Sequence, residues 1–222
     1  KPKSLPTDSD EGRAVASIIF ENKMNEQKKN KDFAVLYRTN AQSRAIEDSL
    51  RKRNIQYRVF GGLSFYQRKE IKDILAYLRL IVNPNDEESL KRIINYPTRG
   101  IGHTTIDKLI IASNENNLTL FDVIQSLSKL KISINKGTTD KLIGFLNIIK
   151  TFQIENEKLN AYEITDLVIK KTGIVNVLKS EGTPENISKI ENIEELLNGI
   201  KDFTDGQIEI ADAFGNISEF LE

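Results

Sequence analysis

Phe33-Ala34-Val35-Leu36-Tyr37, followed by Tyr57-Arg58-Val59-Phe60-Gly61-Gly62, decides how the first third of this chain is read. The first run is apolar, carries no charge and follows the basic loop Lys28-Lys29-Asn30-Lys31. A continuous apolar run of this length reads as a buried strand of a parallel sheet. The second run reads as another strand, ended by two glycines. Between them, residues 41–53 place Ala45, Ile46 and Leu50 on one helical face, and Asn54 is a plausible stop. Strand, helix, strand over 33–60 is the usual size for a crossover between parallel strands. Two strands do not make a stable doubly wound sheet. The missing strands are therefore expected outside this sequence, or from another element.

Outward from that unit the pattern is helical. Upstream, residues 1–10 read as a linker, with two prolines and small polar residues, and a helix is expected from Glu11 to about Asn25. Downstream, Ile71, Ile74, Leu75, Leu78 and Ile81 line a long helix that breaks at Asn83-Pro84-Asn85-Asp86. A short helix over Leu90, Ile93 and Ile94 stops at Pro97, and another begins near Thr104. Further helices are expected over 119–130, 138–155, 161–172, 174–181, 185–203 and 208–222. The expected fold class is mainly α with a small α/β part: an incomplete parallel sheet over 11–84, then an all-helical region over 85–222. No fixed repeat period argues for a solenoid.

Composition removes several classes of function. The 222 residues contain no Cys and a single His, His103, so disulfides, thiolate metal sites and multi-histidine metal sites are excluded. His103 itself reads as a surface residue opening a helix. No apolar run approaches the roughly 20 residues that cross a bilayer, and the opening residues lack the apolar core of a signal peptide. No membrane partner is expected, and a cytoplasmic location fits. Net charge is zero but unevenly spread. Residues 28–72 hold twelve Lys or Arg against four Asp or Glu; residues 181–222 hold eleven acids against two lysines. A basic stretch beside an acidic one suits a polyanion-binding face and a partner-facing one, although ordinary solvated helix faces give the same tally.

No G-x-x-x-x-G-K-[ST] loop, G-x-S-x-G, H-E-x-x-H or kinase signature is present, so no catalytic residues and no cofactor site are expected in this chain. Glu194-Glu195 and Glu87-Glu88 are adjacent on helices, do not face each other, and read as solvated. Three stretches suit nucleic acid. Thr98-Arg99-Gly100-Ile101-Gly102-His103-Thr104 sits between two short helices. Its glycines let a ligand approach the backbone, Ile101 pins the turn, and the helix starting at Thr104 or Thr105 offers free N–H donors to phosphate. This is helix-hairpin-helix logic, gripping backbone without reading bases; a tight turn with no ligand fits the same residues. Tyr37-Arg38-Thr39-Asn40-Ala41-Gln42-Ser43-Arg44 lies at the carboxyl end of the first expected strand, the usual ligand edge of an α/β sheet. Arg38 and Arg44 could pair with phosphate, and Asn40 could cap the helix or bond a base or sugar. Finally, Phe65 and Tyr66 beside Arg68, Lys69 and Lys72 suit stacking on single strands, or packing against the strand end.

In their order and spacing, Ala34 to Arg44, Tyr57 to Arg79, and Asn95-Tyr96-Pro97-Thr98-Arg99-Gly100-Ile101-Gly102 resemble the middle of UvrD/Rep/PcrA-type superfamily 1 DNA helicases. Gly182 and Ile190-Glu191-Asn192-Ile193-Glu194-Glu195-Leu196 resemble a late helix of the same region; residues 113–180 match weakly. The resemblance implies part of a RecA-like (P-loop NTPase-like) motor domain 2A followed by the helical accessory domain 2B. It implies a parent that couples ATP and Mg2+ to 3′-to-5′ movement on DNA, with its ATP-site motifs before and after this stretch, and the other helicase domains as partners. It implies that Arg38 and Asn40, with Arg44, face single-stranded DNA, while Thr98, Gly100, Ile101, Gly102 and Thr104 grip duplex phosphate at a junction. Gln67 stands where the family commonly has an acid. A second reading keeps the chain as a protein-interaction or regulatory module that docks a partner through its acidic C-terminal helices.

Overall fold

The computed structural model describes residues 7–39, 42–211 and 214–222, the side chains of 208–211 excepted. Among them are eleven α-helices: α1 (Asp8–Glu26), α2 (Ser43–Lys52), α3 (Lys69–Val82), α4 (Glu87–Ile93), α5 (His103–Asn116), α6 (Leu120–Gln125), α7 (Lys136–Asn156), α8 (Ala161–Thr172), α9 (Ile174–Glu181), α10 (Pro184–Ala211) and α11 (Ile217–Leu221). Short 3-10 turns cover Asn30–Asp32 and Phe65–Gln67.

The described residues contain no strand, so the incomplete RecA-like parallel sheet expected over 33–60 is not there; the fold is all-helical. The physical reason lies in which side chains of the apolar run are buried. Phe33 and Val35 are half-buried against Ala16, Ile19, Leu50 and Ile55, while Ala34 is exposed and Leu36 is 95% exposed. The run is held by alternate side chains on α1 and α2. A continuously buried ladder strand needs paired neighbours at about 4.8 Å on its hydrogen-bonding edges. The residues that lead into its counterpart are tied down by single bonds: the Ile55 N–H donates to the Leu50 carbonyl (2.9 Å), and Asn30 Nδ2 donates to the Gln56 carbonyl (3.1 Å).

The chain forms two compact units, Lys1–Ile71 with Thr183–Gly199, and Lys72–Gly182 with Ile200–Glu222. In the first, α1 packs on α2 so closely that a Cβ on Gly12 would lie 2.3 Å from the Ala45 carbonyl oxygen. The helix begins at Asp8 rather than Glu11, because Thr7 Oγ1 accepts the Asp10 N–H (3.1 Å) and caps it. In the second unit α5 to α9 pack each on the next, and α11 also packs on α8. Tyr77, Ile93, Phe145, Ile149 and Ile164 are among its fully buried residues. Asp86, Thr119, Asn135 and Asn160 each cap the helix that follows, accepting the backbone N–H of its third residue. The expected break near 204–207 is absent: one helix runs from Pro184 to Ala211.

Candidate nucleic-acid interface

In the first unit the two extended segments line a groove of about 1040 Å³, reaching from Asn30 and Phe33 to Arg38 and from Gln56 to Gly62. At its end the side chain of Gln42 organises the chain. Its Oε1 accepts the N–H groups of Arg38 (2.9 Å) and Thr39 (3.3 Å), which leaves the Arg38 side chain exposed. Asn40 lies outside the described residues.

Arg44 is placed differently. It is buried on α2, where Nε donates to Glu195 Oε1 (2.7 Å) and Nη1 to Asp48 Oδ2 (3.2 Å). A Cβ on Gly199 would lie 2.5 Å from its Nη1, so the glycine makes room for the guanidinium. Burial pulls the Arg44 pKa down, but Glu195, then Asp48, outweigh it and hold it above its usual value. For Asp48 the balance falls the other way: burial raises it beyond what Arg44 and Arg51 take back. Glu195, read from sequence as solvated, is thus buried and paired, whereas Glu194 is exposed.

A second buried carboxylate, unmarked in the sequence, fixes the glycine-rich segment. Glu47 accepts from Tyr57 Oη (2.9 Å), the Phe65 N–H (3.0 Å) and Ser64 Oγ. Phe65 is fully buried, with its ring edge-on to Tyr66 at 5.2 Å. Tyr66 is half-buried beneath Arg51, 4.7 Å from the ring centre, and donates to Asp48 Oδ2 (3.3 Å). Burial first, then the Asp48 charge, pushes its phenol up. These aromatics pack; they do not form an open stacking platform. Arg68, its pKa lowered by burial, donates to Asn192 Oδ1 (2.7 Å) and Ser43 Oγ (3.1 Å), and Asn192 Nδ2 donates to Glu70 Oε1 (2.7 Å).

In the second unit the turn from Thr98 to Thr104 has the shape that its sequence suggests. Gly100 adopts φ +72, a conformation that favours glycine. Ile101 is buried at 1%, pinning the turn, and Thr98, Gly100, Gly102, His103 and Thr104 are exposed. Gly102 is the N-cap of α5 with no side-chain cap; the first intrahelical bonds are donated by Thr105 and Ile106 to the Gly102 carbonyl. The N–H groups of Gly102, His103 and Thr104 therefore have no acceptor among the described residues, as at any uncapped helix start.

A cation missing from the sequence reading stands at this turn. Lys141, on α7, has its Nζ 2.6 Å from where a Cβ on Gly100 would be. It makes no ion pair or hydrogen bond among the described residues. Lying forty-one residues beyond Gly100 in a weakly matched stretch, it carried no signal. Arg99, the cation inside the motif, is turned inward instead, onto the carbonyls of Ile93 (2.9 Å), Tyr96 (3.0 Å) and Pro97 (3.3 Å) and onto Tyr77 Oη (2.7 Å). No cluster of His, Cys, Asp or Glu suited to a metal occurs among the described residues. No described helix is long and apolar enough to cross a membrane.

The family model described as UvrD-like helicase C-terminal domain matches residues 2–222. The ATP-dependent DNA helicase PcrA of Staphylococcus aureus (strain Mu50) is 41% identical over 197 residues, covering 89% of this chain and 27% of that protein. PcrA of Staphylococcus epidermidis (strain ATCC 12228) has the same identity and coverage. The chain thus spans about a quarter of the length of these curated relatives. A match over nearly every residue, together with that identity, places the chain in the UvrD-like helicase C-terminal domain family.

Proposed function

We propose that this chain is a DNA-gripping part of an ATP-dependent 3′-to-5′ DNA helicase, with ATP and Mg2+ handled by other parts of that protein. The observation that carries the reading is the turn at Gly100-Ile101-Gly102: a positive-φ glycine, outward N–H donors at the start of α5, and the unpaired Lys141 beside them. Backbone donors at a helix start, with a lysine, suit phosphate without reading base sequence. Thr98 and Thr104 are exposed on the same turn and add hydroxyls. In the first unit, exposed Arg38, with Asn40, is assigned to single-stranded DNA. Arg44 acts there from inside, holding α2 to α10 through Glu195. DNA at a junction of single strand and duplex is the partner, and the cytoplasmic location expected from the sequence belongs to the same reading. PcrA, an ATP-dependent DNA helicase, supports it by kinship.

Gly102→Val tests the grip. A Cβ at Gly102 meets no atom within 4 Å, so the fold accommodates it, while the side chain covers the donors. The affinity of the full-length protein for a fluorescent duplex with a 3′ single-stranded tail should fall about tenfold or more, roughly 1.4 kcal/mol, at moderate salt. An unchanged affinity would sink the reading.

A further inference from the structure

We infer that Asn95 is a positioning residue for the DNA-gripping turn, setting its conformation before any ligand arrives; this rests on the reading of that turn as a phosphate grip. Asn95 Oδ1 accepts two backbone N–H groups, from Arg99 (2.9 Å) and from Ile101 (3.0 Å). The two donors bracket Gly100, so one amide oxygen fixes both sides of the positive-φ residue. Neither N–H belongs to a helix, and the Ile101 side chain is buried. Without Asn95, these donors lose an acceptor that no other described residue replaces.

Arg99 completes the brace. Its Nη1 occupies the carbonyl end left by α4, where Ile93, Tyr96 and Pro97 present oxygen, and its Nη2 reaches Tyr77, which is fully buried. Its guanidinium carbon lies 5.3 Å from the centre of the Phe145 ring. A cation at the negative end of a helix is favourably placed, and here it ties the turn to α3 and α4. Phosphate is thus met by backbone N–H groups and Lys141, with Asn95 and Arg99 behind them. Holding a loop in its bound geometry removes an ordering cost from binding.

The test is Asn95→Ala in the full-length protein, against Gly102→Val and the double variant. Affinity for the tailed duplex should fall about five- to tenfold in Asn95→Ala, while affinity for the single-stranded tail alone stays within twofold. In the Gly102→Val background, Asn95→Ala should cost less than twofold further, because the grip it positions is already lost. Asn95→Asp keeps an acceptor oxygen, so the Ile101 amide, exchanging fast in Asn95→Ala, should regain protection from hydrogen exchange. Equal losses on tailed duplex and single strand, or full additivity in the double variant, would make Asn95 a structural residue only and overturn the inference. If Gly102→Val leaves duplex affinity unchanged, it is the phosphate-grip reading that fails; if Gly102→Val weakens binding and Asn95→Ala does not, only this inference fails.

Discussion

Arg44 in the first unit and Arg99 in the second are both turned inward, yet they are held in opposite ways. Arg44 meets two carboxylates, Glu195 and Asp48, one of them 151 residues away along the chain. Arg99 meets neutral oxygens, and the carbonyls it takes lie within six residues. The first is a charge pair that closes a long loop; the second is a local plug at the end of one helix. Removing the first cation strands buried charge, whereas removing the second strands dipoles, some of which keep other donors. Tyr96 still receives Tyr77 Oη, and Ile93 still receives the Tyr96 N–H. Two arginines that look alike in the sequence thus stabilise their units by different physics.

The largest expected effect follows from that contrast. Arg44→Ala leaves buried Glu195 without the guanidinium that pairs with it and Asp48 with Arg51 as its main remaining cation, and losing one partner of a buried pair costs about 3–5 kcal/mol. Urea unfolding of the variant should show a loss of that size. A loss under about 1 kcal/mol, the value of a surface pair, would mean that the Arg44 cluster is solvated and the contrast with Arg99 is false.

The same contrast explains what could be read in advance. The turn from Thr98 to Thr104 was legible because its parts are neighbours: the glycine that reverses the chain, the isoleucine that pins it and the helix start that follows. Most helix positions were legible for the same reason, since a cap and a periodic face are local. The absence of the sheet is not legible, because Phe33 to Tyr37 looks continuously apolar while only alternate side chains are even half-buried. The burial of Arg44 is not legible, because its place between an expected strand end and a helix start suits a ligand edge and nothing nearby in the sequence announces Glu195. Lys141 was invisible for the converse reason: it reaches Gly100 from another helix.

A smaller effect tests the local side of the comparison. Asp86 caps α4, its Oδ1 accepting the Ser89 N–H (3.0 Å) and its Oδ2 the Ser89 hydroxyl (2.6 Å). Burial raises its pKa, but the two Ser89 bonds, with the Arg79 charge and the Glu88 N–H, outweigh burial and hold it below the ordinary carboxylate value. A depressed folded pKa gives stability that is present above the unfolded value, near 4, and lost as pH falls through the folded one. Asp86→Ala should therefore cost about 1 kcal/mol at neutral pH, and the gap to the parent should narrow below about pH 4. A gap that persists unchanged in acid would mean that the carboxylate charge plays no part in the cap.

The smallest effect on stability should be the most informative for function. Lys141 is exposed and has no ion-pair partner among the described residues, so Lys141→Gln should shift stability by less than about 0.5 kcal/mol. Its cation nevertheless lies beside Gly100 of the turn, and each phosphate contact by a lysine releases counterions. The slope of log affinity for the tailed duplex against log salt should fall by about one in magnitude, uniformly across DNA sequences. Lys91→Gln is the matched control, because Lys91 is already paired with Glu87 at 3.0 Å on the same unit. An equal change of slope in both variants would show a general loss of positive charge. A change confined to Lys141→Gln locates the contact at the Gly100 turn, where the long-range cation and the locally built donors act on the same phosphate.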